Sequence, residues 1–297
     1  MSVMKRMGDI RRVMITLAYD GANYCGFQKQ GRGRPAIQDV LYSAIEAVTG
    51  APPAGFAAAG RTDAGVHALG QVVAVNLGAN IPVNRIPHAL NRHLPPDVAV
   101  VSAAEVVPCF HPRFDAKSKT YAYSFYGWDG KPRHPLLDRH ALYVPGRLDL
   151  GAMDLAAAAL LGRHDFSAFQ DVGRPVKDAT RDVTVCRVRS GTHSMPPRAG
   201  LESAYLEVSA GGFLLHMVRV IAGTVLEVGR GRFAAGDIPA ILAGRDRQAA
   251  GPTLPAHGLC LVGVEYQTTG PSTPDADDAS HCGDAGQTLV DTPRAVS

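Results

Sequence analysis

The chain has 297 residues, 46% hydrophobic and 19% charged, a composition that excludes a disordered polypeptide and suffices for one large folded domain or two ordinary ones. Its formal charge of +3 is unevenly spread: residues 268–297 hold five acids and one base, so the body before them carries +7, which fits a phosphate-rich partner but also an ordinary arginine-solvated surface. The five cysteines, Cys25, Cys109, Cys186, Cys260 and Cys282, are odd in number and form no Cys-x-x-Cys pair or zinc-spaced Cys/His cluster, which argues against a disulfide framework and for a reducing compartment.

In chain order, alternation predicts a strand over 12–19, and apolar residues at Ile37, Val40, Leu41, Ile45 and Val48 predict a helix over 36–48. Strands follow at 55–60 and 70–77, then a helix near 83–92 and a strand at 97–107, after which Pro108 and Pro112 interrupt the pattern. Residues 120–126 alternate so that Tyr121, Tyr123 and Phe125 share one strand face. An alanine-rich helix is expected at 150–161, strands at 181–189 and 203–209, a nearly all-apolar and therefore buried helix at 213–228, and a last strand at 259–266. The tail 268–297 has almost no large apolar residues and is expected to be disordered.

The pattern reads as a mixed α/β (α+β) chain of two related subdomains. The expected divisions are an extension at 1–11, a subdomain at 12–112 carrying the Asp63 segment, a second subdomain at 113–267, and the acidic tail. The N-terminal segment lacks the continuous apolar stretch of a signal peptide and no run reaches membrane-spanning length, so the expected setting is the cytoplasm, with no membrane partner.

The segment Gly60-Arg61-Thr62-Asp63-Ala64-Gly65-Val66-His67 sets an acid and two basic residues among very small ones, leaving room for another molecule to approach. By spacing alone it reads as an Asx-turn between two strands, with Arg61 paired at the surface. It is not a phosphate-binding P-loop, because no Gly-Lys-Ser/Thr follows Gly65. A hydrolytic triad is equally unsupported: no serine sits in a Gly-x-Ser-x-Gly elbow, and Cys25 has no evident base.

The run Gly60 to Val73 resembles the catalytic segment of the tRNA pseudouridine synthase A family. Four further stretches match that family in order: Tyr19 to Gln28; Phe110 to Phe114 with Lys119 to Tyr123; Gly212 to Arg219 running on to Gly229; and Pro252 to Leu259. The resemblance covers about residues 12–267. It implies an isomerase that cuts the C1'–N1 bond of a uridine, turns the base and rejoins it through C5, acting at positions 38 to 40 of the tRNA anticodon stem-loop. It also implies largely antiparallel sheets flanked by helices with an active-site cleft between the subdomains, tRNA as partner, a homodimer in which the RNA spans both subunits, and no cofactor or metal.

On the same resemblance Asp63 is the catalytic carboxylate, and whether it attacks a carbon or removes a ribose proton stays open. Arg219 matches the basic residue that pairs with the acid, and an arginine in so apolar a helix needs a partner. Tyr121 matches the tyrosine that stacks on the target base and takes part in proton removal, although alternation alone would place it in the core. Arg61 is expected to hold the flipped nucleotide or its phosphate, and His67 to touch the RNA backbone or to cap the next element. Lys29, Arg32 and Arg34 form a glycine-spaced basic loop suited to phosphates, and Arg113, with His111 and Lys117, a basic cluster at the subdomain boundary; solvated surface would look the same. Phe27 departs from the family pattern, where tryptophan is frequent: the apolar plane stays and the indole N–H is lost. The competing class is a non-catalytic tRNA-binding protein or chaperone, whose mark would be loss of the acid, the tyrosine or the basic partner. All three are present.

Overall fold

Alternation along Ile10–Tyr19 (β1) buries Val13, Ile15 and Leu17 completely, and this strand anchors the N-terminal half. The structure is a computed structural model describing residues 10–28, 33–78, 81–128, 130, 132–171, 176–191 and 202–267. After β1 come Ile37–Thr49 (α1), Ala54–Ala58 (β2), His67–Gly78 (β3), Ile86–Asn91 (α2) and Val98–Val106 (β4). Helix α1 starts where Asp39 accepts the Ala36 N–H at 3.2 Å and stops at Gly50, whose left-handed φ of 76° lets its N–H reach Glu46 C=O at 2.8 Å. Its inward face buries Ile37, Leu41, Ala44 and Ile45.

The second half runs Ala116–Tyr126 (β5), Leu142–Tyr143 (β6), Leu150–Ala158 (α3), Gly162–Asp165 (β7), Thr180–Ser190 (β8), Ser203–Ala210 (β9), Met217–Gly229 (α4), Ile238–Gly244 (α5) and Leu259–Tyr266 (β10). Strand β7 escapes the sequence reading because Gly-Arg-His-Asp has no apolar alternation; it lies at the sheet edge, where pairing needs none. Helix α5 is too short for its period to stand out.

The antiparallel strands of the two halves join into one sheet of order β4-β1-β3-β10-β5-β9-β8-β7, with β2 on β3 and β6 on β5. The join is β3 beside β10, a short parallel pairing that opposes Cys260 to His67 and Leu261 to Ala68. Two apolar clusters flank it. One is built on β1, α1 and β3, the other on β5, β9, α3 and α4, and Tyr121 packs against both. Phe27 lies wholly inside the first cluster, where an indole N–H would have needed a partner. No helix among the described residues is long and apolar enough to cross a membrane.

The apolar run 213–228 departs from expectation at its start. The helix begins only at Met217, because His216 adopts a φ of 57°. From Val220 to Gly229 every residue of α4 is buried. Close approach explains Gly223: a Cβ there would stand 1.9 Å from Pro252 C=O. The Thr224 hydroxyl accepts the Gly251 N–H at 2.9 Å, so the segment 251–254 is fastened along α4.

Candidate active site

The Asp63 segment is the connection between β2 and β3. It turns where Val66 N–H bonds Asp63 C=O at 3.1 Å, with Gly65 at a φ of 80° that a larger residue would resist. Residues 19–27 clamp it from one side: Tyr19 and Thr62 share a hydroxyl hydrogen bond of 2.8 Å, and Phe27 N–H donates to Thr62 C=O at 3.0 Å. The backbone therefore closes the turn, and the Asp63 side chain is not spent on an Asx-turn. It points instead to α4.

There Asp63 Oδ2 lies 3.7 Å from Arg219 Nη1 and 3.2 Å from His216 Nε2. Arg219 is 15% exposed by side chain against 36% for Asp63, so the pair sits at the floor of an open site. The guanidinium is aimed by its Nε, which donates to Leu254 C=O at 2.6 Å, and Leu254 N–H returns a bond to Arg219 C=O at 3.3 Å. The Pro252 to Leu259 stretch thus has a physical task. Its Pro255 carbonyl also takes the Tyr123 hydroxyl at 2.8 Å, and its His257 carbonyl meets His67 Nε2 at 3.1 Å.

Tyr121 lies on β5, opposite Leu261 of β10, with its ring edge-on to Phe213 at 5.2 Å between centroids. Burial first, then Tyr19 and the charge of Asp63, push its phenol well above the ordinary value. At neutral pH it stays protonated, a state suited to stacking and hydrogen-bond donation rather than to acting as a ready base. Tyr123 and Phe125 are fully buried in the second cluster.

The expected cations divide into three groups. Arg61 is exposed and makes no hydrogen bond or ion pair among the described residues. Arg34 is exposed and donates to Ala22 C=O at 3.2 Å, while Lys29 and Arg32 lie outside the described residues. Arg113 is exposed, with its guanidinium carbon 5.8 Å from the Phe114 ring centre. Lys119, which the sequence did not single out, shares a strand face with Tyr121, and its Nζ comes 3.9 Å from the place a Cβ would take on Gly60. It is half-buried and unpaired among the described residues, and burial, then Arg113, holds its ammonium below the ordinary lysine value.

His67, expected either to touch the RNA backbone or to cap the next element, turns its side chain inward. It is 5% exposed, its Nδ1 accepts the Gly21 N–H at 3.2 Å, and its Nε2 is engaged by the His257 carbonyl. Burial, then His140, pushes its imidazole below the ordinary value against the pull of Asp20. A polar residue before a strand looks the same in sequence whether its side chain turns in or out. Donor atoms of Asp20, His67 and His140 lie within 4.8 Å of one another, a spacing that a metal ion could use. However, the His67 Nδ1 lone pair is taken by Gly21, and the Asp20 carboxylate by the Ala22 N–H at 3.0 Å and Arg139 Nε at 2.6 Å. The cluster is a clasp between β1, β3 and the 139–140 turn rather than a vacant ligand set.

Five sequence stretches therefore converge where β3 meets β10: an ion-paired carboxylate, a protonated tyrosine at its side, and unpaired cations around them. Such a site suits a nucleotide within a polyanionic chain. Residues 15–115 and 156–267 match the family described as tRNA pseudouridine synthase, and the chain belongs to that family. It is 45% identical over 253 residues to the tRNA pseudouridine synthase A of Moorella thermoacetica, covering 85% of this chain and 98% of that one. The protein of the same description from Geotalea daltonii is 40% identical over 257 residues, 86% of this chain and all of its own. That of Myxococcus xanthus is 42% identical over 272 residues, 90% of this chain and 98% of its own.

Proposed function

We propose that this chain converts uridine to pseudouridine in tRNA, at positions 38 to 40 of the anticodon stem-loop, with Asp63 as the reacting carboxylate. The observation that carries the reading is the ion pair between Asp63 and Arg219 beside Tyr121: an acid facing a cation aimed by Leu254, next to an aromatic surface for an extruded base. The balance of the reaction needs no second substrate. The C1'–N1 bond breaks, the C1'–C5 bond forms, the C5 hydrogen leaves to solvent and N1 takes up a proton.

In this reading Arg219 stabilises the carboxylate and Tyr121 supports the base. Arg61, Lys119, Arg113 and Arg34 take the flanking phosphates, and Lys29 and Arg32 add basic charge to the same partner. The subdomains 12–112 and 113–267 each contribute half of the site. The chain acts as a homodimer in the cytoplasm, with one tRNA spanning both subunits. The test is tritium release from tRNA labelled at uracil C5, followed by mapping of the modified positions. Release at 38 to 40 supports the proposal, and binding of tRNA without release would leave a tRNA-binding protein instead. Light scattering of the purified chain checks the dimer.

A further inference from the structure

His216 and Asp171 have no part in the roles assigned so far, yet His216 stands closer to the reacting acid than Arg219 does, at 3.2 Å against 3.7 Å, and Asp171 bonds its ring. His216 is one of two described non-glycine residues with a positive φ, the other being Arg245. That single left-handed residue takes the preceding stretch out of the α4 register and turns the imidazole away from the helix core. The ring then lies between two carboxylates, Nδ1 at 2.7 Å from Asp171 Oδ2 and Nε2 at 3.2 Å from Asp63 Oδ2. Asp171 is itself tied to this stretch, its N–H bonding Leu215 C=O at 3.2 Å.

Both groups that engage Asp63, His216 Nε2 and Arg219 Nη1, come to the same oxygen, Oδ2. Oδ1 is not the nearest oxygen to either group and accepts no hydrogen bond among the described residues. We infer that Asp171 and His216 are positioning residues that fix the Asp63 carboxylate through Oδ2 and present Oδ1 to the ribose of the target nucleotide. The inference rests on the reading of Asp63 as the reacting carboxylate.

Arg219, pinned by Leu254, holds Oδ2 from one direction, and the imidazole, pinned by Asp171, holds it from another. Two anchors on one oxygen stop the carboxylate from turning about its last torsion, which a single contact would allow. Each ring nitrogen faces one carboxylate, so the imidazole bridges Asp171 and Asp63. Misplacing a reacting group by about 1 Å costs about 100-fold in rate, so this anchoring should appear in the chemical step and not in tRNA affinity.

The experiment measures single-turnover tritium release with enzyme in excess, alongside tRNA affinity and melting temperature, on the full chain. His216→Gly keeps the left-handed backbone and removes the ring; His216→Asn also tolerates that backbone and keeps an N–H donor. The expected result is a slowing of about 10- to 100-fold for His216→Gly and Asp171→Ala with unchanged tRNA affinity. Asp171→Ala should add nothing to His216→Gly, because it acts through the ring. His216→Asn should recover much of the rate, and added free imidazole should accelerate His216→Gly, a response that a merely structural role does not give. A full rate in His216→Gly, or additive losses in the double variant, overturns the relay. Asp63→Asn separates the two ideas: if it stays active, the reading of Asp63 fails, whereas an inactive Asp63→Asn beside a fully active His216→Gly removes only the relay.

Discussion

Arg219 Nη1 and Asp63 Oδ2 stand 3.7 Å apart although they come from opposite halves of the chain, one from α4 and the other from the turn before β3. The contact depends on the β3–β10 pairing and on Leu254, whose carbonyl holds the guanidinium at the right angle.

Asp63→Asn keeps the shape of the side chain and removes its charge. Pseudouridine formation should fall by about 10⁴-fold or more, the scale seen when a reacting side chain is lost. Its affinity for tRNA should stay near that of the unaltered chain, as measured by filter binding.

Arg219→Lys tests the fork rather than the charge. A lysine ammonium is a single point and cannot donate to Leu254 C=O and face Asp63 in the same planar geometry. Losing one charged hydrogen bond, about 1.5–3 kcal/mol, corresponds to a rate lower by about 10- to 100-fold. Single-turnover rates check this, with near-normal tRNA binding expected.

Lys119→Met should weaken tRNA binding and lower the slope of log affinity against log salt by about one, the signature of a single lost phosphate contact. Lys119→Arg should restore most of the slope. An unchanged slope in Lys119→Met would assign the ammonium a structural role instead.

Gly223→Ala acts at a distance from the chemistry. Its Cβ would stand 1.9 Å from Pro252 C=O, so the 252–254 segment must retreat and draw Leu254 away from Arg219. Urea denaturation should show a loss of about 1–3 kcal/mol, the usual cost of overpacking. Activity per folded molecule should fall as well, which distinguishes this site from ordinary core damage.

Acidification should destabilise the fold through the clasp near β3. Burial, named first for each, pushes the imidazoles of His67, His140 and His257 below the ordinary 6.5. Between 6.5 and those lower folded values the unfolded chain binds more protons than the native one, so stability rises with pH across that window. It is fully present above 6.5 and is lost as pH falls towards the folded values. Denaturant midpoints at about pH 7.5 and about pH 5.5 should differ accordingly, and His140→Asn should shrink the difference.

The sequence by itself indicated most strands and helices, because alternation along 12–19 and 120–126, the helical spacing along 36–48 and the apolar run 213–228 are local properties. It also carried Asp63, Tyr121 and Arg219, each inside a stretch whose resemblance to a family was plain. Other features were decided only by the tertiary structure. His67 turned inward because Gly21 and His257 supply its partners from distant loops, and His216 entered the site because one left-handed residue broke a helix that composition alone would have continued. Lys119 gained meaning from lying beside Gly60, and the two halves became one sheet through the short pairing of β3 with β10. In every such case the deciding group is far away in the chain, and hydrophobic period, propensity and spacing carry no record of which distant carbonyl or carboxylate will meet a side chain after folding.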